Sequence, residues 1–220
     1  MNIFDVIGPV MIGPSSSHTA GAVRLGNLAL AILGEPIKDA VIGLHGSFAQ
    51  TYRGHGTDLA LVGGLQGWAT DDGRIPKAFE EAEQTGITIS FKIINLGDLA
   101  HPNSVKFWLT GVDNKVCNVT GISIGGGRVC ITNIDDFPVE FNGDFPAILT
   151  MHHDRPGTIA LVTSILSAHG VNVAQMKVFR KQKGGLAAMI LETDQPIDDA
   201  EFYAIGKLPY IESVRRIQLG

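Results

Sequence analysis

The last third of the chain carries an order of hydrophobic periods that few folds can accommodate. After residue 147, segments with strand-like alternation and segments with helical spacing follow in the order strand, helix, strand, strand, helix, strand. Gly170 ends the first helical segment, and Gly184 with Gly185 separates the two central strands. This order predicts a ferredoxin-like βαββαβ domain over residues 147–220.

The first two thirds of the chain mix helical and strand patterns, and the strands are concentrated late in that part. The mixture predicts an α+β protein whose N-terminal domain is mixed α/β. Residues 136–146 contain two prolines, a glycine and an asparagine, a composition typical of a linker. We therefore predict two domains, at 1–140 and 147–220.

Composition excludes several classes of function. The formal net charge is −5 and no cluster of Lys and Arg stands out, so we expect neither a nucleic-acid partner nor a membrane partner. No apolar run approaches the roughly 20 residues that span a bilayer. The N-terminus lacks a signal-peptide pattern, which favours a cytoplasmic location. Cys117 and Cys130 fit no CxxC pattern, so we expect no metal or iron–sulfur ligands in this chain.

A run of hydroxyl side chains stands directly before the first helical segment, in GPSSSHTAG at residues 13–21. A helix needs one such hydroxyl as its N-cap, which Ser16, Ser17 or Thr19 can supply. The other hydroxyls, with the free N–H groups of the helix, would suit a carboxylate or phosphate. A plain capping loop remains an alternative, since serine-rich segments commonly precede helices. The candidate binding residues here are Ser15, Ser16, Ser17, His18 and Thr19.

Four further segments place polar groups in or near predicted loops, where binding residues collect. His55 stands between two glycines in RGHGTD, where a ligand can approach the backbone, and Asp58 can orient its imidazole. Such a histidine is a candidate general base, and a plain surface residue is the alternative. The other candidates are Ser47 in HGS, Asn103 in AHPNS and Gly125 in SIGGG, a turn that exposes backbone N–H groups.

The segment DRPGTIALVTSILSAHGVNVAQM, together with the βαββαβ order, resembles the ACT domain family over residues 147–219. The resemblance implies that this domain binds a small amino acid or pairs with a second copy of itself. The candidate regulatory residues are Asp154, Gly157 and Asn172. For Asp154 the alternative is structural, because an aspartate here can cap the following helix.

The segments IGPSSSHTAGAVRLG, HGSFAQTYRGHGTDLALVGG, AHPNS and SIGGG, followed by the ACT-like domain, resemble the β subunit of bacterial iron–sulfur-dependent L-serine dehydratases. The resemblance covers nearly the whole chain, although the family usually has tyrosine where this chain has His45. It implies conversion of L-serine to pyruvate and ammonia, with a [4Fe–4S] cluster held by the cysteines of a separate α subunit. It further implies that His55 is the general base, that SSSHT holds the substrate carboxylate, and that the chain is inactive alone.

Two other functions compete with this interpretation. The N-terminal part also resembles the allosteric-substrate-binding domain of some phosphoglycerate dehydrogenases, which implies a non-catalytic sensor that binds serine. A pyridoxal-phosphate dehydratase is disfavoured, because the lysines are scattered and no phosphate loop accompanies one. In either leading case, the chain could form a homodimer through one of its domains.

Overall fold

The computed structural model describes residues 9–218, and the chain divides into two compact units between Asp136 and Phe137. Both units combine helices with strands, which confirms the predicted α+β class. Within the described range, no helix is long and apolar enough to cross a membrane. The finer domain limits, 1–140 and 147–220, stay a prediction.

The first unit packs helices against a β-sheet, with α1 lying over β4 and β5. Its helices are α1 (Gly21–Leu33), α2 (Gly46–Thr51), α3 (Thr57–Leu65) and α4 (Ala78–Gln84). A π-helical turn at Ser16–Ala20 precedes α1, and a 3₁₀ turn at Ile75–Lys77 precedes α4. Its strands are β1 (Ile37–His45), β2 (Thr88–Ile93), β3 (Ser104–Gly111), β4 (Val116–Gly125) and β5 (Arg128–Ile134).

Strand direction determines which loops of the first unit meet. The strands follow the order β2-β1-β3-β4-β5. β1 and β2 are parallel, whereas β3 is antiparallel to both β1 and β4. The carboxyl ends of β1, β2 and β4 therefore lie at the same edge of the sheet as the amino end of β3. We call this the site edge, because HGS, AHPNS and SIGGG all lie there.

Two glycines let α1 and α3 pack with their backbones in contact. A Cβ atom at Gly64 would lie 2.2 Å from the carbonyl oxygen of Val23, and one at Gly26 would lie 2.6 Å from that of Leu61. Because backbone atoms cannot rotate away as a side chain can, no larger residue fits at either position without moving a helix. This contact fixes the two helices whose amino ends follow SSSHT and RGHGTD.

The entry into α1 differs from the prediction that Ser16, Ser17 or Thr19 is the cap. The capping hydroxyl is that of Ser15, which accepts a hydrogen bond from the backbone N–H of His18 at 3.2 Å. The chain enters α1 through the π-helical turn. The first free N–H groups therefore lie in this turn, before the helix start that the spacing of apolar residues predicts. Such π-helical turns often occur at functional sites.

After a short first strand, the second unit has the predicted βαββαβ order. Its elements are β6 (Phe137–Phe141), β7 (Ala147–His153), α5 (Thr158–Ala168), β8 (Val173–Arg180), β9 (Leu186–Thr193), α6 (Asp199–Gly206) and β10 (Ile211–Ile217). Four of these strands form an antiparallel sheet in the order β10-β7-β9-β8, as the ferredoxin-like arrangement requires. The core of the unit contains Ile148, Val162, Leu166, Met189, Leu191 and Ile205.

The stretch predicted to be a linker, residues 136–146, contains the short strand β6. Phe137, Val139 and Phe141 are buried, while Pro138 and Glu140 between them are exposed. This alternation is that of a strand, and it outweighs the proline and glycine content that favoured a linker. Lys177 of β8 donates to the Glu140 carboxylate at 2.8 Å, which ties β6 to the rest of the unit.

Candidate active site

His18 lies among serine hydroxyls at the start of α1. Its Nδ1 atom is 3.1 Å from the Ser17 hydroxyl and 3.5 Å from the Ser15 hydroxyl. Its Nε2 atom is 3.2 Å from the hydroxyl of Ser47, the first side chain of α2. Both ring nitrogens are therefore within hydrogen-bonding distance of a hydroxyl. The sequence segments SSSHT and HGS, predicted separately, meet at this imidazole.

Ser16 and Thr19 take less direct parts in the same turn. The carbonyl oxygen of Ser16 accepts the hydrogen bond from Gly21 that closes the π-helical turn. Thr19 is almost fully buried, and its side chain occupies the space where a Cβ atom at Gly13 would lie. Ser15, Ser17 and His18 are therefore the members of SSSHT whose polar side chains cluster together.

His55 lies edge-on against His18. The two ring centroids are 4.8 Å apart with an interplanar angle of 82°. The turn between α2 and α3 holds His55 in place, since its backbone N–H donates to the Thr51 carbonyl at 3.0 Å. One Asp58 carboxylate oxygen accepts from the adjacent Leu59 N–H, and the expectation that Asp58 orients this imidazole stays a prediction. His18, which the sequence suggested for substrate binding, is the side chain packed against the candidate base.

Asn103 and Ser123 connect the sheet to the serine turn. The Ser123 hydroxyl donates to the Ser17 carbonyl at 2.9 Å, and Asn103 Nδ2 donates to the Ser123 carbonyl at 3.4 Å. Sequence reasoning selected Asn103 and Gly125 from these loops but missed the buried Ser123. The one sequence feature that could have identified Ser123 is its position at the start of SIGGG. Gly125 itself lies in the β4–β5 hairpin at φ 95°, and no atom lies within 4 Å of where its Cβ would be.

The motif loops also carry buried polar atoms that have no hydrogen-bond partner within residues 9–218. These atoms are Thr19 Oγ1, His55 Nδ1, Thr57 Oγ1 and Asn103 Oδ1. Buried polar groups in folded proteins are nearly always paired, so such a group calls for an explanation. Atoms of the same kind also occur in the second unit, for example on Thr158 and Glu201, so the four atoms named here mark positions where a polar ligand could pair.

Burial lowers the pKa of His18 below its ordinary value, and the nearby His55 lowers it further. His18 is therefore neutral at pH 7, with one ring nitrogen as donor and the other as acceptor. A neutral His18 does not oppose a positive charge on His55, which matters if His55 accepts a proton.

Stability should fall as the pH drops below about 6.5, the ordinary pKa of histidine. Burial lowers the pKa of His152 in the second unit, as it does for His18. For both, the unfolded state binds the proton more readily, so folding stability rises with pH across this window. We expect the urea midpoint to drop between pH 7.5 and pH 5.5, and the double substitution His18→Gln and His152→Gln to reduce that drop. An unchanged pH dependence in the double variant, compared with His169→Gln at an exposed position, would contradict this.

The structure does not bring the three candidate regulatory residues together. The Asp154 carboxylate accepts from Arg180 at 2.7 Å and from the Gly184 N–H at 3.0 Å, beside the β8–β9 hairpin. Asn172 donates to Asp194 at 2.6 Å, beyond the opposite end of β9. The alternative role of Asp154 as a helix cap is also wrong. The residue before α5 is Gly157, at φ 91°, and no side chain caps the helix.

The part of the chain that the structure describes contains no group of three or more His, Cys, Asp or Glu side chains able to hold a metal ion. Cys117 is buried on the face of β4 that also carries Val119. Cys130 pairs with Ile122 and lies on the other face of the sheet. These residues do not fit an iron–sulfur cluster, whose ligands must converge.

Comparison with known proteins agrees with this geometry. Residues 2–133 match the family described as serine dehydratase beta chain, and residues 147–205 match the ACT domain. The chain is 45% identical over 216 residues to the "Probable L-serine dehydratase, beta chain" of Bacillus subtilis, covering 98% of this chain and 97% of that one. It is 41% identical over 197 residues to the L-serine dehydratase beta chain of Peptoniphilus asaccharolyticus, covering 90% and 89%.

A third relative is a longer protein. The chain is 28% identical over 153 residues to L-serine dehydratase 2 of Escherichia coli, a match that covers 59% of this chain and 33% of that protein. The family match covers more than half of the chain, and the two beta-chain relatives match it over nearly their full length. The chain belongs to the serine dehydratase beta chain family, with an ACT domain at its C-terminal end.

Proposed function

We propose that the chain is the β subunit of a two-chain L-serine dehydratase, an L-serine ammonia-lyase that forms pyruvate and ammonia. The names of the full-length relatives support this function. The observation that carries it is the contact between His18 and His55, with serine hydroxyls around one ring and an unpartnered buried nitrogen on the other within residues 9–218.

In this proposal His55 removes the Cα proton of L-serine. A general base needs an uncharged nitrogen and an environment that tolerates the charge it gains. Neutral His18 provides that environment, and its own hydrogen bonds to Ser17 and Ser47 fix the ring against which His55 packs. The buried Nδ1 atom of His55 is a nitrogen to which a ligand could bind.

The substrate carboxylate would lie at the π-helical turn that precedes α1. Ser15 and Ser17 present hydroxyls there, and the amino end of a helix favours a negative charge. Asn103 offers a buried side-chain oxygen that could accept from the substrate ammonium. Ser16, Thr19, Asp58 and Gly125 are further candidate binding residues, which lie around the site without joining the hydroxyl cluster at His18.

Loss of the substrate hydroxyl needs a Lewis acid, and the residues described here do not fit one. We propose that a [4Fe–4S] cluster held by a separate α subunit supplies it, in a cytoplasmic complex. The name "beta chain" carried by the relatives supports a partner chain. On this proposal, the chain alone binds serine weakly and does not turn it over.

The test is anaerobic co-expression with the α subunit of the same organism, followed by iron quantitation and an assay of serine-dependent pyruvate formation. We expect the complex to contain iron and to release pyruvate, and each chain alone to be inactive. Serine binding without iron uptake or pyruvate, with the α subunit present, would favour the non-catalytic serine sensor.

We further propose that the ACT domain regulates or assembles the enzyme. Its fold is complete by itself, so it can serve as a separate module. Asp154, Gly157 and Asn172 stay candidate effector contacts, although the two polar side chains lie at opposite ends of β9. A second copy of the chain is one possible partner of this domain.

A further inference from the structure

The site edge carries large hydrophobic side chains that are exposed to solvent. Leu99 is fully exposed and Ile93 is 73% exposed, with Leu96 and Ile124 also exposed. Each belongs to a strand end or loop next to a binding motif: Ile93, Leu96 and Leu99 precede AHPNS, and Ile124 lies within SIGGG. The four residues lie at the same end of the sheet, and exposed apolar surface beside a polar site is typical of an interaction surface. We call these four side chains the leucine edge.

Local hydrogen bonds order the loop that carries Leu96 and Leu99. The Leu96 N–H donates to His45 Nδ1 at 3.3 Å, which gives the histidine at this position a definite role. The Gly97 N–H donates to the Asn95 side chain at 2.8 Å, and Gly97 adopts φ 93°. The loop is thus fixed in a turn that keeps its leucines away from the core. A surface ordered before binding loses less conformational entropy on association.

We propose that the leucine edge is the surface on which the α chain docks. This inference rests on the proposed function and names the partner of the same site. The match covers 33% of L-serine dehydratase 2 of E. coli, and on the proposed function a separate α chain supplies what the rest of that protein supplies. The groups that this polypeptide contributes must reach a substrate held by His18 and His55. Docking at the site edge brings them there, whereas docking at the opposite edge of the sheet would leave them a strand length away.

The opposite edge supplies a matched control. Val112 and Val116 lie in the β3–β4 turn and at the start of β4, and both are about as exposed as the residues of the leucine edge. Charged substitutions at either pair replace exposed apolar surface with charge. Only those at the leucine edge should affect binding of the α chain.

The experiment compares two double variants, Leu96→Asp with Leu99→Asp and Val112→Asp with Val116→Asp, in anaerobic co-purification with the α chain. The α chain used here is a polypeptide from the same organism as this chain. It is homologous to the part of the E. coli relative that this chain does not match. We expect the leucine-edge variant to bind it at least about tenfold more weakly, with pyruvate formation reduced in parallel, and the control variant to bind normally. Amide exchange in residues 94–100 of the wild-type chain should also slow in the complex.

The outcomes separate the two proposals. If the wild-type chain forms an active complex and the leucine-edge variant binds equally well, or if residues 94–100 gain no protection, the docking proposal is overturned while the proposed function stands. Equal loss of binding in the control variant would overturn it too. If the wild-type chain neither binds the α chain nor forms pyruvate, both proposals fail.

Discussion

Replacing His55 with alanine should reduce turnover in the assembled enzyme by about 10²- to 10⁴-fold, the usual contribution of a general base. The substitution removes the imidazole that packs edge-on against His18 and leaves the hydroxyls around His18 in place. Serine binding and iron content should therefore change little. The measurement is kcat and KM for pyruvate formation, with iron quantitated in the same preparation.

His169→Ala is the control for this experiment, because His169 is an exposed histidine at the end of α5 in the second unit. It should leave kcat and KM unchanged. Wild-type turnover in the His55→Ala complex would exclude His55 as the base. A loss of iron or of the α chain in that complex would instead assign His55 a structural role.

Elements defined by long periodic patterns were predictable from sequence, and short ones were not. The βαββαβ domain is one example, because each of its six elements has several turns or alternations and ends at a glycine or a turn. The six-residue helix α2 is too short to show a helical period, so the sequence around HGS indicates only a loop. The prolines of residues 136–146 indicate a linker and hide β6, although Pro138 is exposed and does not interrupt the strand.

The loops of the candidate site were predictable, but the contacts between their side chains were not. A serine run before a helix and a histidine between glycines are local signals, and both loops lie at the site. The Ser123 hydroxyl, in contrast, bonds to a carbonyl 106 residues earlier in the chain, and no local pattern records such a contact. Asp154 likewise pairs with Arg180, which lies 26 residues later in the chain.

Changing Gly64 to alanine should lower the free energy of unfolding by about 2–3 kcal/mol, even though alanine is the better helix former by about 1 kcal/mol. The added methyl group would lie 2.2 Å from the Val23 carbonyl oxygen and 3.0 Å from the Gly26 Cα atom. Because both are backbone atoms, α1 and α3 must separate. His18 and His55 lie just before these helices, so the same change should also reduce turnover in the assembled enzyme.

The measurement is urea unfolding followed by tryptophan fluorescence, since both tryptophans, Trp68 and Trp108, lie in the first unit. Gly73→Ala is the control, because no atom lies within 4 Å of its Cβ position. It should leave both stability and turnover near wild type. If Gly64→Ala were as stable as Gly73→Ala, the two helices would not be in backbone contact. If it were destabilised yet fully active in the complex, the helix contact would support the fold without setting the distance between the two histidines.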